Sequence, residues 1–368
     1  MLKSFCHVLR EQGIKLMSKS GYFSFILPNK FMRAKYGKEI RNVILEKANI
    51  DLIFDFDDYP IFDDATTYPL IFVFSKSYSD KFYYSEINKR SNTLDPINVL
   101  EQNKIQVLSS SLTSDTWTFN DSRTFSVLDK LKNSSLELKE FVDDKIFRGV
   151  STGCNEVFIA DKETIKPFKT SQSLKKIFMG KEVKRYKADF QELYLLFLTW
   201  DYDINSDDNI KTYLLNNEEK LSVRPEVKEG RFNWWCLSRY GSKNSHLLAE
   251  PKIIYPRINN ECNFFLDVSG EYSLSDNNFF ISSGRKDLLA ILNSKLIFFY
   301  LKNNCSTLQG GYYDFRRPYI EKIPIVKSLS SENQDLVILA DKAISIYSDF
   351  NKSEKLMIDI AKYMTKRF

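Results

Sequence analysis

Apolar residues in the first quarter of the chain alternate between strand-like runs and helical spacing. Residues 22–27 are apolar on both faces, which is typical of a buried parallel strand covered by helices. Helical spacing over residues 3–18 and 35–47 predicts a helix in each range. Further strand-like runs cover residues 51–56 and 70–74. The order strand, helix, strand, loop, strand predicts one edge of a doubly wound α/β sheet.

From residue 75 onward the pattern is mixed, and short strand-like runs are separated by polar loops. These short runs lie at residues 156–159, 193–198, 252–255, 263–266 and 278–281. Helical spacing is found at residues 128–144, 287–301, 331–349 and 347–368. The serine- and threonine-rich stretch 109–115 indicates a domain boundary. We therefore predict an α/β part followed by an α+β part, with domains at residues 1–110 and 111–328 and C-terminal helices at 329–368.

The composition is that of an ordinary folded protein, with 43% hydrophobic and 27% charged residues among 368. Apolar runs stay well short of the roughly 20 residues that a membrane helix needs, and the first residues lack the apolar core of a signal sequence. These features predict a cytoplasmic protein with no membrane partner. The five cysteines lie far apart and form no CxxC pair, so we expect buried thiols and no metal site.

The net charge is +5, and the distribution of the basic residues says more than the total. Five basic residues lie between Lys30 and Arg41, and six lie between Lys175 and Lys187, with one glutamate inside each stretch. Clusters of this kind bind phosphates, although a solvated charged face has the same pattern.

One stretch of the α/β part carries a specific sequence pattern. It contains Ile-Leu-Pro-Asn-Lys-Phe at residues 26–31, then Tyr36-Gly37, Ile40-Arg41 and, in a later loop, Ile61-Phe62. With this pattern the stretch resembles the type IIG restriction–modification and Eco57I-like family of N6-adenine DNA methyltransferases. The resemblance implies that the first domain is the C-terminal half of a methyltransferase fold, namely the edge half of its doubly wound sheet.

A second set of sequence blocks follows in the rest of the chain. They are Phe-Arg-Gly-Val-Ser-Thr-Gly-Cys-Asn-Glu-Val-Phe at residues 147–158 and the segments 179–186, 251–258, 289–296 and 319–325. These blocks resemble, in the same order, the TaqI-like C-terminal specificity domain. That resemblance implies that the middle domain is a mixed target-recognition domain whose partner is double-stranded DNA.

Members of this family bind S-adenosylmethionine on a glycine loop and hold the flipped adenine at an Asn-Pro-Pro-Tyr motif. The chain has no Pro-Pro pair, and its one Gly-Gly, Gly310-Gly311, lies far from any predicted strand-to-helix turn. We therefore expect a fragment that has no catalytic residues, holds no cofactor itself and is inactive alone. S-adenosylmethionine is implied for the complete enzyme only, together with a missing N-terminal methyltransferase region that carries or lacks a nuclease.

Individual side chains can be given roles within this hypothesis. Phe62 corresponds to the aromatic residue that stacks on the flipped adenine. The alternative, that Phe62 is a core phenylalanine, is equally compatible with the sequence. Arginine pairs with guanine and basic side chains bind phosphates, which singles out the basic clusters and the arginine-containing loops. DNA contacts are therefore predicted for Lys30, Arg33, Lys35, Arg41, Lys181, Lys184, Arg185, Arg239, Lys243, Arg257, Arg316 and Arg317.

Other hypotheses remain open for parts of the pattern. A two-metal nuclease would use the acidic residues Asp51, Asp55, Asp57, Asp58, Asp63 and Asp64. Such a site also needs a lysine after a short strand, which is absent here, so a solvated acidic loop is favoured. A complete enzyme of another kind is disfavoured, because the sequence has no recognisable catalytic triad or phosphate-binding loop. A phage-defence methyltransferase without a nuclease, or an interaction protein that dimerises through its C-terminal helices, stays compatible with the sequence.

Overall fold

A computed structural model describes residues 13, 16–57, 59, 61–62, 68–87, 95–115, 117, 119, 122–168, 171–241, 243–308, 310–327, 329 and 331–347. The chain divides into two compact units. The first comprises Met1–Asn133 with Lys302–Tyr313, and the second comprises Ser134–Leu301 with Asp314–Phe368. The helices predicted at the two ends of the chain lie almost entirely outside the described residues.

The first unit is built on one mixed sheet. Its strands are β1 (Tyr22–Pro28), β2 (Asn49–Asp55), β3 (Pro69–Ser75), β4 (Lys81–Glu86) and β5 (Ile105–Leu108), and its helices are α1 (Lys38–Lys47), α2 (Pro96–Asn103) and α3 (Ser122–Asn133). The strands lie in the order β1-β3-β2-β4-β5. Strand β3 is antiparallel to both of its neighbours, whereas β2 and β4 are parallel to each other. It follows that β1, β2 and β4 all run in one direction.

The prediction of a buried parallel strand at residues 22–27 is wrong. Among the described strands, β1 pairs only with β3, in antiparallel register from Tyr22 opposite Ser75 to Pro28 opposite Pro69. Tyr22 and Ile26 on its outer side are exposed. An apolar run of this length has the same pattern in an edge strand and in a central one, because periodicity does not encode the pairing partner. The α/β character is confirmed, in the form of a mixed sheet.

The core of the first unit packs α1 against the sheet. Ile40 and Ile44 of α1 are buried in one cluster with Phe72 and other sheet residues. Trp117 joins this cluster and meets Phe31 edge-on, with 6.2 Å between the ring centres. Such burial stabilises a fold by about 25 cal/mol per Å² of apolar surface. The aromatic residues of this part therefore serve mainly as core.

Short strands and helices make up most of the remaining chain. The strands after β5 are β6 (Ser135–Glu137), β7 (Ile146–Arg148), β8 (Ile159–Ala160), β9 (Leu174–Phe178), β10 (Val183–Lys184), β11 (Lys187–Ala188), β12 (Tyr194–Leu196), β13 (Lys252–Pro256), β14 (Ile258–Asn259), β15 (Phe265–Asp267), β16 (Tyr272–Leu274), β17 (Asn278–Ile281), β18 (Thr307–Leu308), β19 (Tyr312–Asp314) and β20 (Pro324–Val326). The helices after α3 are α4 (Leu138–Phe141), α5 (Asn155–Phe158), α6 (Asp208–Leu215), α7 (Glu218–Ser222), α8 (Pro225–Lys228), α9 (Lys286–Leu292), α10 (Lys295–Asn304), α11 (Arg317–Ile320) and α12 (Gln334–Tyr347).

Two sheets form the centre of the second unit. Their strand orders are β16-β9-β12-β8 and β15-β13-β17-β7. Every residue of β13 is buried, including the charged Lys252. Short paired strands β10–β11 and β6–β20 complete the unit. The predicted mixture of strands and helices after the first domain is confirmed at this level.

The helix predicted over residues 287–301 is interrupted, and α9 and α10 are separate. The buried Asn293 side chain accepts from the Phe264 backbone N–H at 3.1 Å and donates to its carbonyl at 2.8 Å. The Ser294 hydroxyl then accepts from Ile297 N at 3.2 Å and caps α10. Sequence spacing missed the break because both flanking segments keep an apolar face. None of the helices in the described ranges is long and apolar enough to span a bilayer.

Candidate functional site

A polar cluster lies at the carboxyl ends of the co-directional strands in the first unit. Asn29 follows β1, Asp55 ends β2, and Glu86 ends β4 directly beside Asp55. The Asn29 side-chain amide donates to both oxygens of the buried Asp55 carboxylate, at 3.0 and 3.3 Å. The Tyr84 hydroxyl donates to Glu86 Oε2 at 2.7 Å. Ligands of open α/β sheets bind outside the carboxyl ends of the strands, so this edge is a candidate site.

The protonation state of Asp55 is set by its surroundings. Its pKa is raised to about 7, first by burial and then by the charge of Glu86. Hydrogen bonds from the Asp57 backbone and from the Asn29 amide act in the opposite direction, as does the charge of Arg33. The carboxyl group therefore changes charge near neutral pH, unlike an exposed aspartate.

We expect the stability of the first unit to fall as the pH rises from about 4 to about 7, because Asp55 binds its proton more tightly in the folded state. The stabilisation is complete below the ordinary pKa of 3.8 and is lost as the pH passes the folded-state value of about 7. Each pH unit in this window is worth about 1.4 kcal/mol from this group. Urea unfolding of the wild type and of Asp55→Asn at several pH values measures the effect. The variant should lack this loss, and equal pH dependence in the two proteins would contradict the prediction.

Phe62 lies in the segment that follows β2 and is 48% exposed. The residues before it are anchored, since Tyr59 and Ile61 pack against a buried cluster that includes Phe54 and Phe56. Phe62 is therefore outside the core, although its stacking role stays a prediction. The only sequence signal for Phe62 was the position of this residue in the matched pattern.

The described acidic residues around this segment do not form a recognisable metal site. Asp58, Asp63 and Asp64 lie outside the described residues, while Asp55 is bound to Asn29. Within the part of the chain that the structure covers, no group of three or more His, Cys, Asp or Glu side chains could hold a metal ion. The described cysteines Cys154, Cys236, Cys262 and Cys305 form no disulfide bond.

The basic cluster of the first unit is largely part of the fold. Arg41 is 3% exposed, and its guanidinium donates to the carbonyl oxygens of Phe31, Met32, Ala34 and Ser114. The predicted phosphate contact of Arg41 is therefore wrong, since a phosphate cannot reach it. Arg33 is half-buried and donates to the Cys305 carbonyl at 2.9 Å and to Thr307 Oγ1 at 3.1 Å, and its DNA contact stays a prediction.

The two predicted lysines of the first unit differ in what the structure describes. Lys30 is exposed, and its ammonium lies 5.7 Å from the centre of the Tyr68 ring. The side chain of Lys35 lies outside the described residues. Lys30 therefore remains a candidate for phosphate contact at the edge that carries Phe62.

In the second unit the lysine cluster points outward and its arginine points inward. Lys181 and Lys184 are exposed at the β10–β11 hairpin, and no ion pair is found for either among the described residues. Arg185 donates through Nε to the Cys262 carbonyl at 3.0 Å and lies 3.6 Å from the Glu261 carboxylate. Its side chain is thus part of the fold, and the phosphate contact predicted for it is not retained. Adjacent side chains at the hairpin point in opposite directions, so Lys184 and Arg185 have different surroundings although they belong to one cluster in the sequence.

A buried carboxylate organises two of the predicted arginines. Asp314 Oδ1 accepts from Arg257 Nε at 3.3 Å, and Asp314 Oδ2 accepts from Arg316 Nε at 2.6 Å. The side chains of Arg257 and Arg316 stay 36% and 51% exposed. Each guanidinium has five N–H donors, so binding through Nε leaves donors for a further acceptor. Asp314 and the two arginines are called the arginine pair site below.

Arg317 does not belong to the arginine pair site. It donates to the Ile146 carbonyl at 2.7 Å and pairs with Asp144 and with Glu321, the latter at 3.2 Å. These bonds fix α11 against β7, so its predicted DNA contact is not retained. Asp314 was missed by sequence reasoning, and the strand period could not have indicated the pair, because β19 ends at Asp314 and Arg316 lies beyond it.

Arg239 and Lys243 are exposed, and the same unit carries an exposed aromatic residue, Trp200, that sequence reasoning missed. Trp200 is 45% exposed and stacks on Phe232, with 5.7 Å between the ring centres and 12° between the planes. Its indole N–H donates to the Leu237 carbonyl at 2.8 Å, which fixes the ring. An exposed, fixed indole suits contact with a nucleic acid.

Two regions of the chain match known protein families. Residues 3–62 match the Eco57I restriction-modification methylase, and residues 175–325 match the TaqI-like C-terminal specificity domain. The resemblances predicted from the sequence are therefore confirmed in both regions. Phe62 is the last residue of the first match, whereas the arginine pair site lies inside the second.

Curated relatives are similar over most of the chain. The type II methyltransferase M.BstVI of Geobacillus stearothermophilus is 24% identical over 394 residues, which covers 96% of this chain and 68% of the relative. The type II methyltransferase M.PaeR7I of Pseudomonas aeruginosa is 22% identical over 340 residues, covering 86% of this chain and 57% of the relative. The chain thus spans between about half and two thirds of the length of these two relatives.

A solved structure shares the fold. The type IIL restriction-modification enzyme MmeI, solved in complex with DNA, superposes with a TM-score of 0.62 at 11% sequence identity. The match covers 99% of this chain and 47% of that enzyme. At this identity the similarity establishes the fold and leaves function to other observations.

Proposed function

We propose that this chain is the recognition part of an N6-adenine DNA methyltransferase of a restriction–modification system, and that its partner is double-stranded DNA. The observation that carries the proposal is the pair of family matches, a methylase at one end and a specificity domain at the other. Relatives named as type II methyltransferases and a similar fold solved on DNA support it. A protein of this kind works beside the chromosome, so we place it in the cytoplasm.

The division of labour that we propose follows the predicted domains. Residues 1–110 are the edge half of the doubly wound methyltransferase sheet, residues 111–328 recognise the target, and residues 329–368 form C-terminal helices. Phe62 stacks on a flipped adenine, while Lys30, Lys181, Lys184, Arg239 and Lys243 contact phosphates. The arginine pair site reads base edges, because fixed guanidinium groups suit guanine.

The residues present do not fit the methyl donor. In the family a glycine loop between a strand and a helix holds S-adenosylmethionine, whereas Gly310 and Gly311 lie between the paired strands β18 and β19, both with positive φ. We therefore propose that S-adenosylmethionine and the Asn-Pro-Pro-Tyr motif belong to a methyltransferase region outside this chain, and that the chain alone transfers no methyl group.

Binding to duplex DNA is expected to weaken steeply with salt. Each phosphate contact releases counterions and contributes about one unit to the slope of log affinity against log salt. Fluorescence anisotropy with a random-sequence duplex at several salt concentrations measures this slope. Replacing Lys181 and Lys184 by glutamine should reduce it by about two.

A matched double variant controls for net charge. Lys162→Gln with Lys220→Gln removes the same charge from exposed ion pairs with Glu192 and Glu156, and it should leave the slope unchanged. Binding that is absent, or that does not respond to salt, would overturn the proposed DNA partner. Equal effects of the two double variants would overturn the role of the hairpin lysines.

A further inference from the structure

Asn29 holds both ends of the segment that carries Phe62. Its backbone N–H donates to the Tyr68 carbonyl at 2.7 Å, directly before β3 begins. Its side-chain amide donates to the Asp55 carboxylate at 3.0 and 3.3 Å, where β2 ends. One residue thus ties the exit of β2 to the entry of β3, which are 14 positions apart from Asp55 to Pro69.

The same carboxylate fixes the first turn of the segment. Asp55 Oδ1 accepts from the backbone N–H of Asp57 at 3.0 Å, and Asp57 has a φ of +38°, in the left-handed region. A non-glycine residue in that region needs support from its surroundings. Asn29 and Asp57 bind the same side chain, so the amide also orients the group that supports this turn.

The described residues link this turn to Phe62. The Phe56 N–H donates to the Pro69 carbonyl at 3.0 Å, and the Tyr59 N–H donates to the Phe56 carbonyl at 2.8 Å. Tyr59 and Ile61 then pack on the buried cluster of Phe54, Phe56, Ile87 and Val99. Phe62 is the next residue, and it is exposed.

We infer that Asn29 is a positioning residue, which acts through Asp55 to hold the Phe62 ring ready to stack on an everted base. This inference rests on the proposed function, because it takes Phe62 as the stacking residue. A ring that must first be ordered loses part of its stacking energy to conformational entropy. The charged and titratable groups that face Asp55 are Glu86, Tyr84 and Arg33.

The test compares two duplexes that differ by one extrahelical base. A duplex with a single unpaired 2-aminopurine should bind the full chain about 5- to 100-fold more tightly than the fully paired duplex, as expected from base–aromatic stacking. The 2-aminopurine fluorescence should change on binding. Phe62→Ala should abolish both the preference and the fluorescence change. Using the ratio of the two affinities cancels general binding to the duplex.

Exchanging the Asn29 amide and the Asp55 carboxylate distinguishes a positioning role of Asn29 from a role in stability alone. Measured at about pH 9, above the Asp55 pKa of about 7, so that both carboxyl groups are charged, Asn29→Asp places a carboxylate against Asp55 and should reduce the preference for the extrahelical base to near one. The double variant Asn29→Asp with Asp55→Asn restores a donor opposite an acceptor and should recover most of the preference. Urea unfolding of each variant shows whether the fold is retained.

The outcomes distinguish this inference from the proposed function. A wild type that binds paired duplex without preferring the extrahelical base overturns the inference and leaves DNA binding in place. A preference that survives Asn29→Asp, or that the exchanged pair does not recover, also overturns it. Failure to bind either duplex would instead overturn the proposed function.

Discussion

Truncating Lys252 to alanine is expected to destabilise the second unit by about 3–5 kcal/mol, the effect of leaving one buried charge without its partner. Lys252 Nζ donates to Asp267 Oδ2 and to the Leu248 carbonyl, both at 2.6 Å, and both charged side chains are fully buried. Burial lowers the pKa of Lys252, and the bond to Asp267 opposes that shift. Removing the ammonium leaves the Asp267 carboxylate in the protein interior. Urea unfolding measures the loss.

Two further variants show whether the loss comes from the unpaired charge. Lys252→Met combined with Asp267→Asn removes both charges and should cost less than Lys252→Ala alone. Lys162→Ala breaks an exposed pair with Glu192 and should change the free energy of unfolding very little. A loss for Lys252→Ala as small as that for Lys162→Ala would show that the pair is not coupled to folding.

The strands of the first unit could be predicted closely from the sequence, but their directions could not. The apolar runs at residues 51–56 and 70–74 became β2 (Asn49–Asp55) and β3 (Pro69–Ser75). Apolar alternation reports burial and length, whereas pairing depends on residues far away in the chain. The antiparallel pairing of β1 with β3 joins positions more than 50 residues apart, such as Tyr22 and Ser75.

Clusters of basic residues predicted the charged surface less well than apolar runs predicted the strands. Arg41 and Arg185 lie in the same clusters as Lys30 and Lys184, yet their guanidinium groups bind backbone carbonyls inside the fold. Arginine has more donors than lysine and is more weakly hydrated, so it is the basic residue that a fold uses internally. The charge of a cluster alone does not show which of its residues bind inside the fold and which lie on the surface.

The candidate site shows the same limit at the level of single contacts. A sequence pattern indicates Phe62, whose stacking role stays a prediction, but the bond between Asn29 and Asp55 joins residues 26 positions apart and has no local signal. Asp314 lies only two positions from Arg316, but β19 ends at Asp314, so the strand period does not place the two side chains together. Arg257 is far from both in the chain and is brought to Asp314 by the fold.

Replacing Asp314 by alanine is expected to lower the affinity for the preferred duplex on the order of 100-fold, since each fixed arginine contact to a base is worth about 1–3 kcal/mol. Without the carboxylate, Arg257 and Arg316 lose the group that binds both Nε atoms. Affinity for unrelated duplexes should change little, because phosphate contacts supply that binding. Anisotropy titrations with both kinds of duplex measure the difference.

Two controls separate base reading from loss of structure. Arg257→Gln with Arg316→Gln keeps Asp314 and should lower the affinity for the preferred duplex to a similar extent. Arg231→Gln removes an exposed arginine of the same unit that pairs with Glu229, and it should have little effect. Urea unfolding of Asp314→Ala reports any destabilisation separately from binding.

Selection of bound sequences from a random duplex pool tests most directly whether the second unit recognises a DNA target. We predict that the wild type enriches one short consensus that contains guanine, and that Asp314→Ala binds the pool without enriching it. Recovery of all sequences in equal amounts by the wild type, in the same salt conditions, would contradict target recognition by this chain.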